Sequence, residues 1–130
     1  MRVCPALACL ILAACSSSSA PANPDAASMG SDAAATPSVR TVTCPPGDMP
    51  TVTTSDSVLA YSPAMTTISA HGLVKFMTSP AHDVAPNPLR PSDPGLNVGF
   101  GQTVCLEFDK AGTFSFYCTV HSFVGTIVVQ

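Results

Sequence analysis

Alternation with a period of two runs through the second half of the chain. In Thr113–Cys118 (TFSFYC), Phe114, Phe116 and Cys118 share one face, while Thr113, Ser115 and Tyr117 share the other. The stretch Thr103–Phe108 repeats the pattern, with Val104, Leu106 and Phe108 pointing one way and Cys105 and Glu107 the other. β-Branched and aromatic enrichment predicts further strands at Thr51–Thr54, Met65–Ala70, Leu73–Thr78, Asp83–Ala85 and Gly125–Val129. Turns are predicted at Ala70-His71-Gly72 and Asp109-Lys110-Ala111-Gly112, and a proline-rich loop over Pro86 to Gly95, where the prolines exclude a central strand. Short, evenly spaced strands of this kind predict an all-β domain, a two-sheet sandwich or a barrel.

Upstream of Thr41 the pattern changes. The opening MRVCPALACLILAAC has one arginine and then a mostly apolar run, too short to span a bilayer, which takes about 20 apolar residues. It reads as an export signal over residues 1–14. Its end, Leu12-Ala13-Ala14-Cys15, resembles the bacterial lipoprotein cleavage box, in which the cysteine becomes the lipidated N-terminus. Ser16 after Cys15, rather than Asp, resembles a sorting signal for the outer membrane. Residues 15–40 are then a lipidated Cys15 and a Ser/Ala/Pro linker with too few large apolar side chains to offset chain entropy. The folded domain is expected over residues 41–130.

Composition removes several classes. A formal charge of −3 lacks the basic surface that nucleic acid requires. Three cysteines, Cys4, Cys9 and Cys15, fall in the signal and cleavage box, which leaves Cys44, Cys105 and Cys118 in the domain. An exported domain favours disulfides, and three cysteines leave one thiol over. The simplest division is a Cys44–Cys105 disulfide with Cys118 kept for a metal, although spacing alone does not fix the pairing.

Cys118 points inward with two phenylalanines, which by itself suits a small apolar core residue. His121 follows it on a loop, and His82 opens another short strand. One thiolate and two imidazoles from two loops at one end of a sandwich make a trigonal set that suits both Cu(I) and Cu(II). Structural zinc wants four ligands, and no paired-cysteine ribbon is present.

The stretches LVKFMTSPAHDV and GQTVCLEFDKAGTFSFYCTVHSFVGTIVV resemble the cupredoxin family, of the plastocyanin and amicyanin type. The family's upstream histidine falls on His82. Its strand motif falls on Phe108, Gly112, Phe114, Phe116, Cys118 and His121, and its terminal motif on Gly125, Ile127 and Val129. The resemblance covers roughly Tyr61 to Gln130. It implies a Greek-key sandwich of about eight strands and one copper ion on His82, Cys118 and His121. It also implies a bond between Asp83 and Thr119 that ties the two ligand loops together. The family's axial methionine is missing: Val124 matches its position in the short-loop type, so the axial place is expected to be non-ligating. Met77 precedes His82 by five residues and is expected to serve packing or the surface, and His71 to be an exposed turn residue.

The function implied is that of a membrane-tethered one-electron carrier and not an enzyme. With three histidines in the chain, the additional histidine-rich copper sites of copper oxidases cannot be assembled. A redox partner protein is expected to dock on an apolar patch of Pro80, Ala81, Val120, Phe123 and Val124 around His121, with the chain a monomer in the bacterial cell envelope. Copper storage, delivery or sensing by a lipoprotein is the alternative, and a metal-free binding module a third reading.

Overall fold

The structure, a computed structural model, describes residues 36–130. The signal, Cys15 and most of the expected linker lie outside these residues. Nine strands form: β1 Val39–Val42, β2 Thr51–Ser55, β3 Val58–Ser62, β4 Met65–Ile68, β5 Gly72–Met77, β6 Ala85–Pro86, β7 Thr103–Phe108, β8 Gly112–Tyr117 and β9 Val124–Val129. They make a five-stranded sheet in the order β1-β7-β5-β2-β3 and a four-stranded sheet in the order β4-β9-β8-β6. β2 runs parallel to β5, and β4 parallel to β9; the other neighbours are antiparallel. The all-β sandwich expected from the alternation is therefore present.

The inward positions of both sheets meet in one core. Val74 and Phe76 of β5, Leu106 and Phe108 of β7, and Phe116 and Ile127 of β8 and β9 are all almost wholly buried. Phe116 stands edge-on to Phe76 at 5.4 Å, and Tyr61 edge-on to Phe116 at 4.6 Å. Gly125 lies across from Phe116, and a Cβ there would overlap the Phe116 ring. The glycine is thus required by packing between neighbouring strands.

Two strands escape the alternation reading. β1 begins at Val39, two residues before the expected domain start. Asp93 holds it there, accepting from the Ser38 N–H at 2.8 Å and the Ser38 hydroxyl at 2.7 Å. β3 is a hairpin partner of β2 whose first two residues, Val58 and Leu59, are exposed, so it carries no clean period. The strand expected at Asp83–Ala85 shrinks to Ala85–Pro86, an edge strand on β8, where a proline is tolerated. The proline-rich loop that follows covers the outer side of β8: Ser92 Oγ donates to Ser115 O, and Asn87 Nδ2 donates to Ser115 Oγ at 3.1 Å.

Cys44 and Cys105 are bonded to one another across 61 positions of sequence, fastening the chain after β1 to β7. Closing a loop of that length removes denatured-state entropy worth about 4 kcal/mol. Cys118 is the free thiol among the described residues, and it is buried.

Candidate metal centre

Cys118 follows directly on β8, in phase with Phe114 and Phe116, so its thiol enters the core end. The chain then reverses in a tight loop. Ser122 N–H donates to Cys118 O at 2.8 Å, Cys118 N–H donates to Phe123 O at 3.0 Å, and Ser122 takes a left-handed φ of 59°. This reversal brings the His121 ring back over Cys118.

His82 comes from the loop between β5 and β6 and is fully buried. That loop is held by the end of β2 and the turn that follows it. Thr54 Oγ1 accepts from Ser79 N–H at 2.7 Å, and Asp56 Oδ1 accepts from Ala81 N–H at 3.2 Å. The Ser79 hydroxyl, with the Ala81 N–H, holds the Asp56 carboxyl below the usual carboxylate range. His82 Nε2 stands 3.2 Å from the Ser55 carbonyl oxygen. A carbonyl only accepts, so Nε2 carries the proton and Nδ1 presents a lone pair.

The three donors converge. Cys118 Sγ lies 3.7 Å from His82 Nδ1 and 3.7 Å from His121 Nδ1, and the two Nδ1 atoms are 3.1 Å apart. A point equidistant from atoms so spaced lies about 2 Å from each, the length of a bond from a first-row metal ion to imidazole. The geometry and chemistry of the set therefore fit a single soft-to-borderline ion.

Around the donors the structure adds polar ties and an aromatic wall. The Asp83 carboxylate accepts from Thr119 N–H at 2.8 Å and from the Thr119 hydroxyl at 2.7 Å, which links the loop of His82 to the loop of Cys118 and His121. Tyr61 donates its hydroxyl to Asp83 O at 2.6 Å. Burial, followed by the negative fields of Cys118 and Asp83, pushes the Tyr61 phenol above its ordinary value, so it stays a donor. The Phe123 ring stands edge-on to His82 at 4.9 Å and to Tyr61 at 4.6 Å, and parallel to His121 at 6.4 Å.

The expected place of Val124 requires correction. Val124 pairs directly with Tyr117 on β8, and opposed residues point to the same side of a sheet. Tyr117 is out of phase with Phe116 and Cys118, so Val124 points away from the donors. It is exposed, and it lines a shallow outer cavity of about 190 Å³ with Asn87, Pro88, Leu89, Tyr117 and Ser122. The side chain turned toward the donors is Phe123. Counting backward from Gly125, Ile127 and Val129, all inward and buried, would have found it. Ser55, Asp56 and Tyr61 were also missed; a backbone carbonyl such as that of Ser55 leaves no mark on residue type.

The methionines of β4 and β5 stay apart from this cluster. Met77 points outward beside the inward Phe76, and Met65 is exposed. The Met49 sulfur lies 3.6 Å from Cys105 Sγ. His71 sits in a turn with φ 59° and an exposed side chain, 3.4 Å from Asp109.

This arrangement of two sheets is the cupredoxin fold. Solved structures that share it include amicyanin from Paracoccus versutus (Thiobacillus versutus), at 18% identity and a TM-score of 0.56, covering 73% of this chain and 100% of that one. A reduced Cu(I) form at pH 4 of an amicyanin variant gives 18% identity and a TM-score of 0.55, covering 72% of this chain and 99% of the other. Native pseudoazurin from Hyphomicrobium denitrificans gives 20% identity and a TM-score of 0.50, covering 62% and 74%. No family model matches the chain, and no curated protein matches it either.

Proposed function

We propose that this chain is a mononuclear blue copper protein that carries single electrons while tethered to a membrane. The observation that carries the reading is the triangle of Cys118 Sγ, His82 Nδ1 and His121 Nδ1, with sides of 3.7, 3.7 and 3.1 Å, inside a rigid sheet end. A copper ion held there would supply one-electron chemistry between Cu(I) and Cu(II), both of which accept a thiolate and two imidazoles. The chain's own part is to fix those donors. Ser55 sets the tautomer of His82, the Asp83–Thr119 pair locks the two loops, and the aromatic wall keeps water from the buried side.

His82 and Cys118 are buried and His121 is exposed, so a redox partner protein would approach at His121. Val120 and Val124 are exposed beside it in sequence, and Pro80 is exposed on the neighbouring loop. Charged residues make up only 10% of the chain, so brief apolar docking is favoured over strong electrostatic steering. A carrier is favoured over an enzyme because the Cys118 sulfur is buried and faces two imidazoles, poorly placed to attack a substrate.

The cleavage box ending at Cys15 supports lipid anchoring in the bacterial envelope, with the folded domain, whose first strand starts at Val39, carried on a linker. Fractionation tests this part: the protein sediments with membranes, and Cys15→Ala moves it to the soluble fraction. The metal reading is tested by adding copper(II) to the purified protein. One equivalent binds with an intense visible thiolate-to-copper band, and Cys118→Ser removes the band. A colourless wild type would sink the proposal. Ready loss of copper to a chelator during redox cycling would favour storage, delivery or sensing instead.

A further inference from the structure

Resting on the copper reading above, we infer that Phe123 closes the core-side face of the donor triangle and holds the bound ion to three ligands. The argument begins with strand phase. Gly125, Ile127 and Val129 point inward on β9, so the next inward position toward the loop is Phe123. Its N-terminal neighbour in the site is fixed as well, because Cys118 N–H donates to Phe123 O at 3.0 Å. The backbone carrying the ring is therefore anchored to the backbone carrying the thiol.

The ring itself is packed on three sides. It meets Tyr61 edge-on at 4.6 Å and His82 edge-on at 4.9 Å, and lies parallel to His121 with 14° between planes. Tyr61 in turn is almost wholly buried and tied to Asp83 O. A ring held against both imidazoles and braced from behind cannot swing aside to admit a fourth donor. Phe123 has no lone pair to offer, so it excludes without ligating. The described methionines offer no substitute: Met77 and Met65 face outward, and Met49 stands beside Cys105. A ligand set limited to one thiolate and two imidazoles suits Cu(I), which is content with three donors, more than Cu(II), which gains from a fourth. Phe123 is thus a positioning residue that biases the ion toward its reduced state.

Two substitutions on adjacent residues separate this from a general effect of loop mutation. Each variant is loaded with copper(II), and its visible spectrum, its electron paramagnetic resonance and its reduction potential are recorded. Phe123→Met is expected to lower the potential and change the shape of the thiolate band, whereas Val124→Met leaves both as in wild type. Phe123→Leu keeps the face apolar and is expected to retain the wild-type potential and spectrum. Azide is the probe of access: it leaves the wild-type spectrum unchanged and perturbs that of Phe123→Ala. The inference is overturned if Phe123→Met matches wild type, if Val124→Met produces the shift, or if azide perturbs wild type. A wild type with no thiolate band would overturn the copper reading itself, before any substitution is compared.

Discussion

Two groups of side chains sit beyond opposite ends of β5. His82, Cys118 and His121 gather past Met77, and His71, Glu107 and Asp109 gather beside Gly72; in each group three donor atoms lie within 4.8 Å of one another. The groups differ in what surrounds them. At the first, two of three residues are buried, one donor is a cysteine sulfur and the His82 tautomer is set by Ser55. At the second, the histidine is exposed, and Arg40 already lies across both carboxylates, at 2.9 Å from Glu107 and 3.0 Å from Asp109. A cation arriving there would compete with a guanidinium and with water. Proximity of donors is common to both ends; dryness, a free lone pair and the lack of a resident cation belong to one.

The sharpest way to break this contrast is at the ligands. Cys118→Ser should abolish the visible band and weaken copper binding by more than the roughly 10–100-fold that losing an outer partner costs. His71→Ala should leave copper stoichiometry and spectrum unchanged, as titration with copper(II) would show. For stability the largest effect falls on the other side of the sandwich. Replacing both Cys44 and Cys105 by serine frees the chain after β1, the strand that carries Arg40, from β7, the strand that carries Glu107. A loss of about 4 kcal/mol is expected in urea unfolding, with copper binding retained. Next comes Gly125→Ala, which forces the Phe116 ring to move beside Cys118. It should cost about 1–3 kcal/mol and broaden the copper spectrum.

The smallest effect is a pH dependence at the β1 end. Burial alone would raise the Asp93 carboxyl. N–H groups of Gly95, Ser38 and Val39 and the Ser38 hydroxyl outweigh it and hold the group below its ordinary value. The stabilisation is therefore full above the unfolded-state value and is lost as pH falls through the lower folded value. Unfolding midpoints followed from neutral pH into that acid range should decline less for Asp93→Asn than for wild type.

Much of this was legible in the residues, for reasons that also explain the gaps. β7, β8 and β9 bury one face and expose or cover the other, so their period is strong, and Cys118 inherits its direction from Phe114 and Phe116. The donors His82, Cys118 and His121 stand out because few residue types can do their chemistry. β1 and β3 were faint because most of their residues are exposed or only half-buried. The choice between Phe123 and Val124 turned on phase: counting forward through the loop selected Val124, and counting back along β9 selects Phe123. The Ser55 and Asp56 contacts depend on how a distant hairpin folds over the His82 loop, which no local pattern encodes.

That hairpin has a mechanical consequence. Ser55 ends β2 in the five-stranded layer, whereas Cys118 and His121 follow β8 in the four-stranded layer. An ion gripped by His82, Cys118 and His121 would act as a rivet through the seam, adding its binding energy to cohesion of the layers. Stripped of its cargo, the sandwich should breathe first along that seam, and amide exchange at residues 55–57 would quicken before the rest.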